Sequence, residues 1–204
     1  MKKQIMPFIL ILSLSLLIIL TNFRLLVFDE EFYLDEAEKL NNLRYEDEYL
    51  NVIDYLKGDK PLMFFNEKEN LHMEDVKHLI QIATSLWYIS IIFAIISLFY
   101  FAYTHKYDKI FSALRTSSII IIILLSILTL LSIAFFDKFF LYFHKIFFTN
   151  DLWILNPLRD LLINLFPQQF FIDFIRKLII QSYIVAIIAL LFTILAKTLK
   201  KKKL

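Results

Sequence analysis

The sequence predicts an all-α polytopic membrane protein, with four transmembrane helices and a small extracellular cap of short helices and one or two strands. Three observations carry that expectation. Of 204 residues, 59% are hydrophobic and 17% aromatic, whereas a soluble domain is nearer half apolar. The excess is gathered in four charge-free blocks, each close to the ~20 residues a helix needs to cross ~30 Å of hydrocarbon. Charge, finally, is segregated along the chain instead of being mixed.

The blocks are Ile5–Phe23, Ala83–Tyr103, Ser117–Phe136 and Leu178–Ala196, spans of one membrane domain covering residues 1–204. Lys2 and Lys3 give the first the look of a signal peptide. It is too long for that and no small-residue cleavage site follows, so it reads as a retained span. Basic residues mark one side: Lys2 and Lys3, then Lys106, Lys109 and Arg115 against Asp108 in a loop over Thr104–Thr116, then Lys197, Lys200, Lys201, Lys202 and Lys203 in the tail. Excess positive charge faces the cytoplasm. A multi-pass protein of the cell membrane with both termini inside is therefore expected. Asp29–Ile80 holds fifteen of the twenty acidic residues against six Lys or Arg, and belongs outside.

Composition also excludes. No span contains Asp, Glu, Lys, Arg or His, which argues against a secondary transporter or ion channel. Without Cys there is no disulfide, thiol nucleophile or Cys-ligated metal. One Gly rules out a Gly-rich phosphate loop. No nucleophile elbow and no nucleic-acid signature is present, and no HExxH-like ligand spacing, so neither metal nor other cofactor is expected.

Two segments, residues 29–80 and 137–177, form the expected cap. In "YEDEYLNVIDYLKGD" the spacing of Tyr49, Val52, Ile53 and Leu56 predicts a helix ended by Gly58. "PLMFF" (Pro61–Phe65) reads as a short extended piece. Asn66 with Glu69 reads as a capping box opening a helix that runs on into the second span. His72 then stands about 10 Å beyond the hydrocarbon edge at ~1.5 Å per residue. In the second segment "DKFFLYFHKIFF" has the aromatic content of an interfacial belt. "LRDLLINLF", between Pro157 and Pro167, reads as an interfacial helix with Leu158, Leu161, Leu162 and Leu165 on its apolar face.

Two polar clusters thus fall at one depth: His72 with Asp75, and His144 with Asn150, Asp151 and Asn156. Paired histidines can move protons near neutral pH. Each His also admits the plainer reading of an amphipathic belt residue, which suits His78 and His105 as well. Asn150 and Asn156 can simply turn the chain, and Trp153 can anchor at headgroups.

At these clusters a resemblance appears. "HMEDVKHL" (His72–Leu79) and "FHKIFFTNDLWILNPLRDLLINLFPQQFF" (Phe143–Phe171) resemble the two signature stretches of the lipoprotein intramolecular transacylases, small four-span enzymes. Length and loop plan agree as well, while Asp29–Phe65 matches loosely. The resemblance implies that one acyl chain moves from the sn-2 oxygen of a diacylglyceryl-modified lipoprotein to the α-amino group of its N-terminal Cys, giving the lyso-form. His72 and His144 match the family's catalytic histidines, and the implied partners are diacylglyceryl lipoproteins and membrane lipids, with no nucleic acid.

Ester aminolysis needs an amine proton removed and a glyceryl alkoxide protonated, which two histidines supply. His72 oriented by Asp75 is the expected base and His144 the oxyanion partner and acid, with the reverse assignment open. Phe147, Phe148 and Trp153 are candidate pocket walls or else lipid-facing packing. Asn150, Asp151 and Asn156 hold His144 or the peptide start, or only shape the turn. A membrane esterase, an intermolecular acyltransferase and a non-catalytic scaffold are the competing readings.

Overall fold

The computed structural model describes residues 2–202, leaving aside the side chains of residues 2–4, 133, 201 and 202. Lys203 of the basic tail lies outside the described residues, as do the side chains of Lys2, Lys3, Lys201 and Lys202. The order is α1 (Lys2–Val27), α2 (Glu30–Lys39), a 3-10 turn (Leu43–Tyr45), α3 (Glu46–Lys57), α4 (Glu67–Tyr103), α5 (Tyr107–Phe147), α6 (Leu162–Leu165) and α7 (Gln168–Lys202). Four of these, α1, α4, α5 and α7, are long and apolar enough to cross a membrane. Three helix ends close alike. Asn41, Gly58 and His105 take left-handed backbone angles after α2, α3 and α4, and the next N–H reaches back over the last turn, as Lys106 N does to Phe101 O at 2.8 Å.

α4 has 37 residues, about 55 Å of helix and nearly twice the ~30 Å of hydrocarbon. All its charged residues, Glu67 through Lys77, stand in its first third. The charge-free part of the helix is Ala83–Tyr103, and His72 lies outside it. α5 has 41 residues and leaves helical geometry at Phe135 (φ −145°, ψ 37°), at the end of its own charge-free run. The loop expected over Thr104–Thr116 is only a tight turn, because the left-handed His105 reverses the chain and Lys109 and Arg115 already belong to α5.

Two compact units divide the chain. One comprises the residues up to Phe23, Thr84–Leu130, and those from Lys177 onward. Its core holds Leu10, Ala94, Phe101 and Ala113, each at most 5% exposed. Among the described residues, its buried polar groups are uncharged: Ser13, Ser15, Asn22, Ser90, Ser97, Ser117, Ser118, Ser182 and Thr193. Small residues let helices approach closely where lipid offers no hydrophobic drive. Ser117 Oγ lies 2.9 Å from Ile11 O, and Trp87 Nε1 donates to Thr21 Oγ1 at 2.9 Å.

The other unit comprises Arg24–Ala83 and Leu131–Arg176. Its aromatic centre joins Tyr33, Tyr49, Phe166 and Phe170 at ring distances of 4.9–6.0 Å. Tyr49 Oη donates to Leu165 O at 2.6 Å. α3 buries Tyr49, Val52, Ile53 and Leu56, the expected face, and ends on Gly58. Two expectations need correction. No strand forms among the described residues. Pro61–Phe65 is non-helical, but the Asn51 side chain takes its hydrogen bonds, donating to Pro61 O at 3.0 Å and accepting from Met63 N at 2.7 Å. The helix expected over Leu158–Phe166 shrinks to Leu162–Leu165, with Leu158 91% exposed. Side chains hold the preceding residues in a local turn instead: Leu158 N donates to Asn156 Oδ1 and Asn156 N to Asp160 Oδ2.

Candidate active site

The site grows from the first turn of α4. Asn66 Oδ1 accepts from Glu69 N at 3.1 Å and Glu69 Oε2 from Asn66 N at 2.8 Å, the expected capping box. Three residues further, on the same buried stripe, comes His72. His144 arrives from the last turns of α5. Each imidazole is only 7% exposed, and their centroids stand 6.4 Å apart with planes tilted by 33°. Phe148 contacts both, at 5.1 Å from His72 and 5.5 Å from His144. Trp153 lies 4.8 Å from His144, with Phe140 at 4.4 Å and Phe143 at 5.4 Å.

Hydrogen bonding separates the two rings. His144 Nδ1 is 2.7 Å from Phe140 O. A carbonyl only accepts, so Nδ1 carries the proton and in the neutral ring Nε2 keeps a lone pair. His72 Nδ1 is buried without a hydrogen-bond partner among the described residues. Burial is the first cause lowering the pKa of His72, to about 4, and the neighbouring His144 lowers it further against a smaller opposing pull from Asp75. Burial also lowers His144, partly offset by the Phe140 carbonyl. Both rings rest neutral, in water-poor surroundings.

The supporting residues fall differently from expectation. Asp75 does not orient His72 through a hydrogen bond; its Oδ2 accepts from Asn150 Nδ2 at 2.9 Å. Asn150 is a hub, for its Oδ1 also accepts from Leu152 N at 3.1 Å and its carbonyl from Trp153 Nε1 at 2.9 Å. The bond joins the helix of His72 to the turn that carries Trp153. Asn156 shapes the next turn. Asp151 is exposed and contributes its carbonyl to Ile154 N. Phe147 is 51% exposed and packs on Phe143 at 4.9 Å, so it walls neither imidazole. His78 is exposed and His105 lies in its turn.

Five residues at the site carried no such role in the sequence. Phe140 precedes His144 by four positions, a spacing that helix geometry stacks on one face, and Phe143 precedes it by one. Glu69, beyond its cap, accepts from Leu162 N at 2.6 Å. Asp160 accepts from Asn66 Nδ2 at 2.9 Å and Asn156 N at 2.6 Å. Its carboxyl is held below the usual range first by that backbone N–H, then by Asn66. Lys68 Nζ donates to Ile154 O. Among the described residues no three His or carboxylates gather as a metal site would require.

Several known proteins are similar to this chain. The solved membrane-integral lipoprotein intramolecular transacylase Lit from Bacillus cereus superposes with a TM-score of 0.83 at 24% identity, covering 98% of this chain and 97% of that one. Forms of that protein bearing a His-to-Arg and a His-to-Ala substitution give 0.79 at 21% and 0.77 at 22%, each over 98% of this chain and 94% of the other. At such identities the likeness is one of fold. No curated protein sequence matches. The sequence profile named lipoprotein intramolecular transacylase Lit matches residues 4–171, most of the chain. The chain belongs to the lipoprotein intramolecular transacylase family and is a membrane-integral acyltransferase.

Proposed function

We propose that the enzyme moves the sn-2 acyl chain of a diacylglyceryl-modified lipoprotein onto the α-amino group of its N-terminal Cys, with His144 as proton carrier and His72 as oxyanion donor. Membership of the family removes the non-catalytic scaffold reading. The observation that carries the mechanism is the pair of buried imidazoles in one aromatic pocket, 6.4 Å apart, one with its tautomer set by Phe140 O.

The neutral amine attacks the ester carbonyl. An N–C bond forms and the carbonyl oxygen becomes an oxyanion. His144 Nε2 takes the proton from the nitrogen, and a neutral His72 N–H donates to the oxyanion, as a neutral imidazole can when its pKa is depressed. The C–O bond to glycerol then breaks and His144 returns the proton to the departing alkoxide. One amide and one alcohol replace one ester and one amine, with no acyl-enzyme. This reverses the base assignment expected from the sequence. The reversal rests on the Nδ1–H bond of His144 and on Asp75 being engaged by Asn150. Donor and acceptor sit on one molecule, so a pocket that folds it supplies positioning. The rings of Phe148, Trp153, Phe140 and Phe143 also keep water from the ester.

The placement goes with the mechanism. Basic residues Lys106, Lys109 and Arg115 against the acidic Asp29–Ile80 support a reading with cytoplasmic termini, in a cell membrane, and the site at the extracellular interface. The test is tandem mass spectrometry of a synthetic diacylglyceryl lipopeptide incubated with the purified enzyme in lipid. Unchanged total mass with one acyl chain on nitrogen is expected. Loss of a fatty acid would make the protein an esterase, and gain of a chain an intermolecular acyltransferase.

A further inference from the structure

A groove opens in the same unit, on a different face of α4. It has a volume of about 440 Å³ and is lined by Tyr55, Leu62, Asn70, Leu71 and two carboxylates, Glu67 and Glu74, beside Pro61. That size suits a bound organic group, for which ~300–1,000 Å³ is usual. Glu67, Asn70, Leu71 and Glu74 are spaced i, i+3, i+4, i+7, so they form one stripe of the helix. His72 follows Leu71 directly, on the neighbouring stripe with Glu69 and Met73. The groove therefore runs alongside the catalytic pair at the same level, over about 11 Å of helix rise.

Resting on the functional reading above, we infer that this groove binds the polypeptide of the client lipoprotein just after its lipid-modified Cys, and favours a basic residue there. Four observations support it. Pro61–Phe65 is non-helical and bends at Phe64 (φ 73°), and its Asn51 contacts use Pro61 O and Met63 N. The backbone groups of Leu62, between those two, make no hydrogen bond among the described residues. That leaves a backbone donor and acceptor beside the groove with which a bound peptide can pair. Asn70 Oδ1 is buried and also lacks a partner. Leu71, Met63 and Phe64, at or next to the groove, are 44–55% exposed. Finally, a cation already rests on this wall, since Lys77 Nζ lies 4.1 Å from the Tyr55 ring centre.

The experiment compares full-length wild-type enzyme with a Glu67→Gln, Glu74→Gln double variant, neither residue being part of the catalytic pocket. Diacylglyceryl lipopeptides differ only in the third residue after the Cys, which is Lys, Ser or Glu. The expected kcat/KM order is Lys above Ser above Glu, with roughly three- to tenfold between Lys and Ser, the scale of two partly exposed ion pairs. The double variant should lose that order while keeping the wild-type rate on the Ser peptide. A lipopeptide carrying a benzophenone side chain at the same place should crosslink to Tyr55, Leu62 or Leu71. Equal rates on all three peptides, or crosslinks mapping away from the groove, would overturn the inference even if transacylation proceeds. Failure of every lipopeptide to react would instead remove the transacylase reading, and the crosslink map would still decide whether the groove takes peptide.

Discussion

In the first unit Ser90 and Ser118 each return a hydroxyl proton to a carbonyl four residues back, at 2.7–2.8 Å. In the second, Asn150, Glu69 and Asp160 meet partners 75 to 94 residues away. A hydroxyl satisfied within its own turn settles its polarity locally and fixes nothing distant. A carboxylate holding a backbone N–H from another element fixes where that element lies. The same difference separates a set of spans, where many sequences serve, from a pocket in which His72 and His144 must meet. Buried charge concentrates where geometry has to be exact enough for chemistry, and its burial is tolerated because each carboxylate is hydrogen-bonded.

The strongest way to break the contrast is to remove either imidazole. His144→Ala and His72→Ala are each expected to lower kcat by about 10²–10⁴, the usual contribution of positioned proton transfer, at unchanged membrane abundance. Next comes Glu69→Ala. It leaves the Asn66 and Leu162 N–H groups without their acceptor and should destabilise by about 2–4 kcal/mol, read as a lowered Tm, with Glu69→Gln milder. Asn150→Ala severs the Asp75 bond and loosens the turn at Trp153. We expect about a tenfold lower kcat, ~1.4 kcal/mol of barrier, with KM nearly unchanged, which a purely structural role would not single out.

Acid should weaken the second unit by a defined route. His72 is depressed to about 4 in the folded chain, so between that and the ordinary ~6.5 the unfolded chain binds the extra proton and stability falls with pH. Asp160, also depressed, adds to the loss at still lower pH. Tm measured from pH 7.5 to 5 should fall, and the fall should shrink in His72→Gln. The smallest effects belong to the first unit. Ser118→Ala and Ser90→Ala should change stability by no more than about 0.5 kcal/mol, and a larger loss would show that these hydroxyls do more than satisfy themselves.

Much of this was legible because its signals are local. Charge-free runs marked the spans, and Gly58 and the Asn66–Glu69 box marked helix ends that the structure reproduces. α2 went unread, although Asp29 caps it by accepting from Phe32 N at 3.2 Å and two acids open its first turn. The apolar pattern of Leu158–Leu165 misled in the other direction, because the side chains of Asn156 and Asp160 hold Asn156–Asp160 in a local turn and the helix starts only at Leu162. The partner of Asp75 was illegible in principle. Its three-residue spacing from His72 suggested a pair, and only the fold brings Asn150, seventy-five residues on, within 2.9 Å.

The central claim is that the two histidines serve one reaction as a unit. The most direct test is kcat/KM for His72→Ala, His144→Ala and the double variant on one diacylglyceryl lipopeptide. Groups acting as a unit are strongly non-additive, so the double variant should be no slower than the poorer single within about threefold. Losses that multiply, or a single variant that keeps the wild-type rate, would contradict the claim.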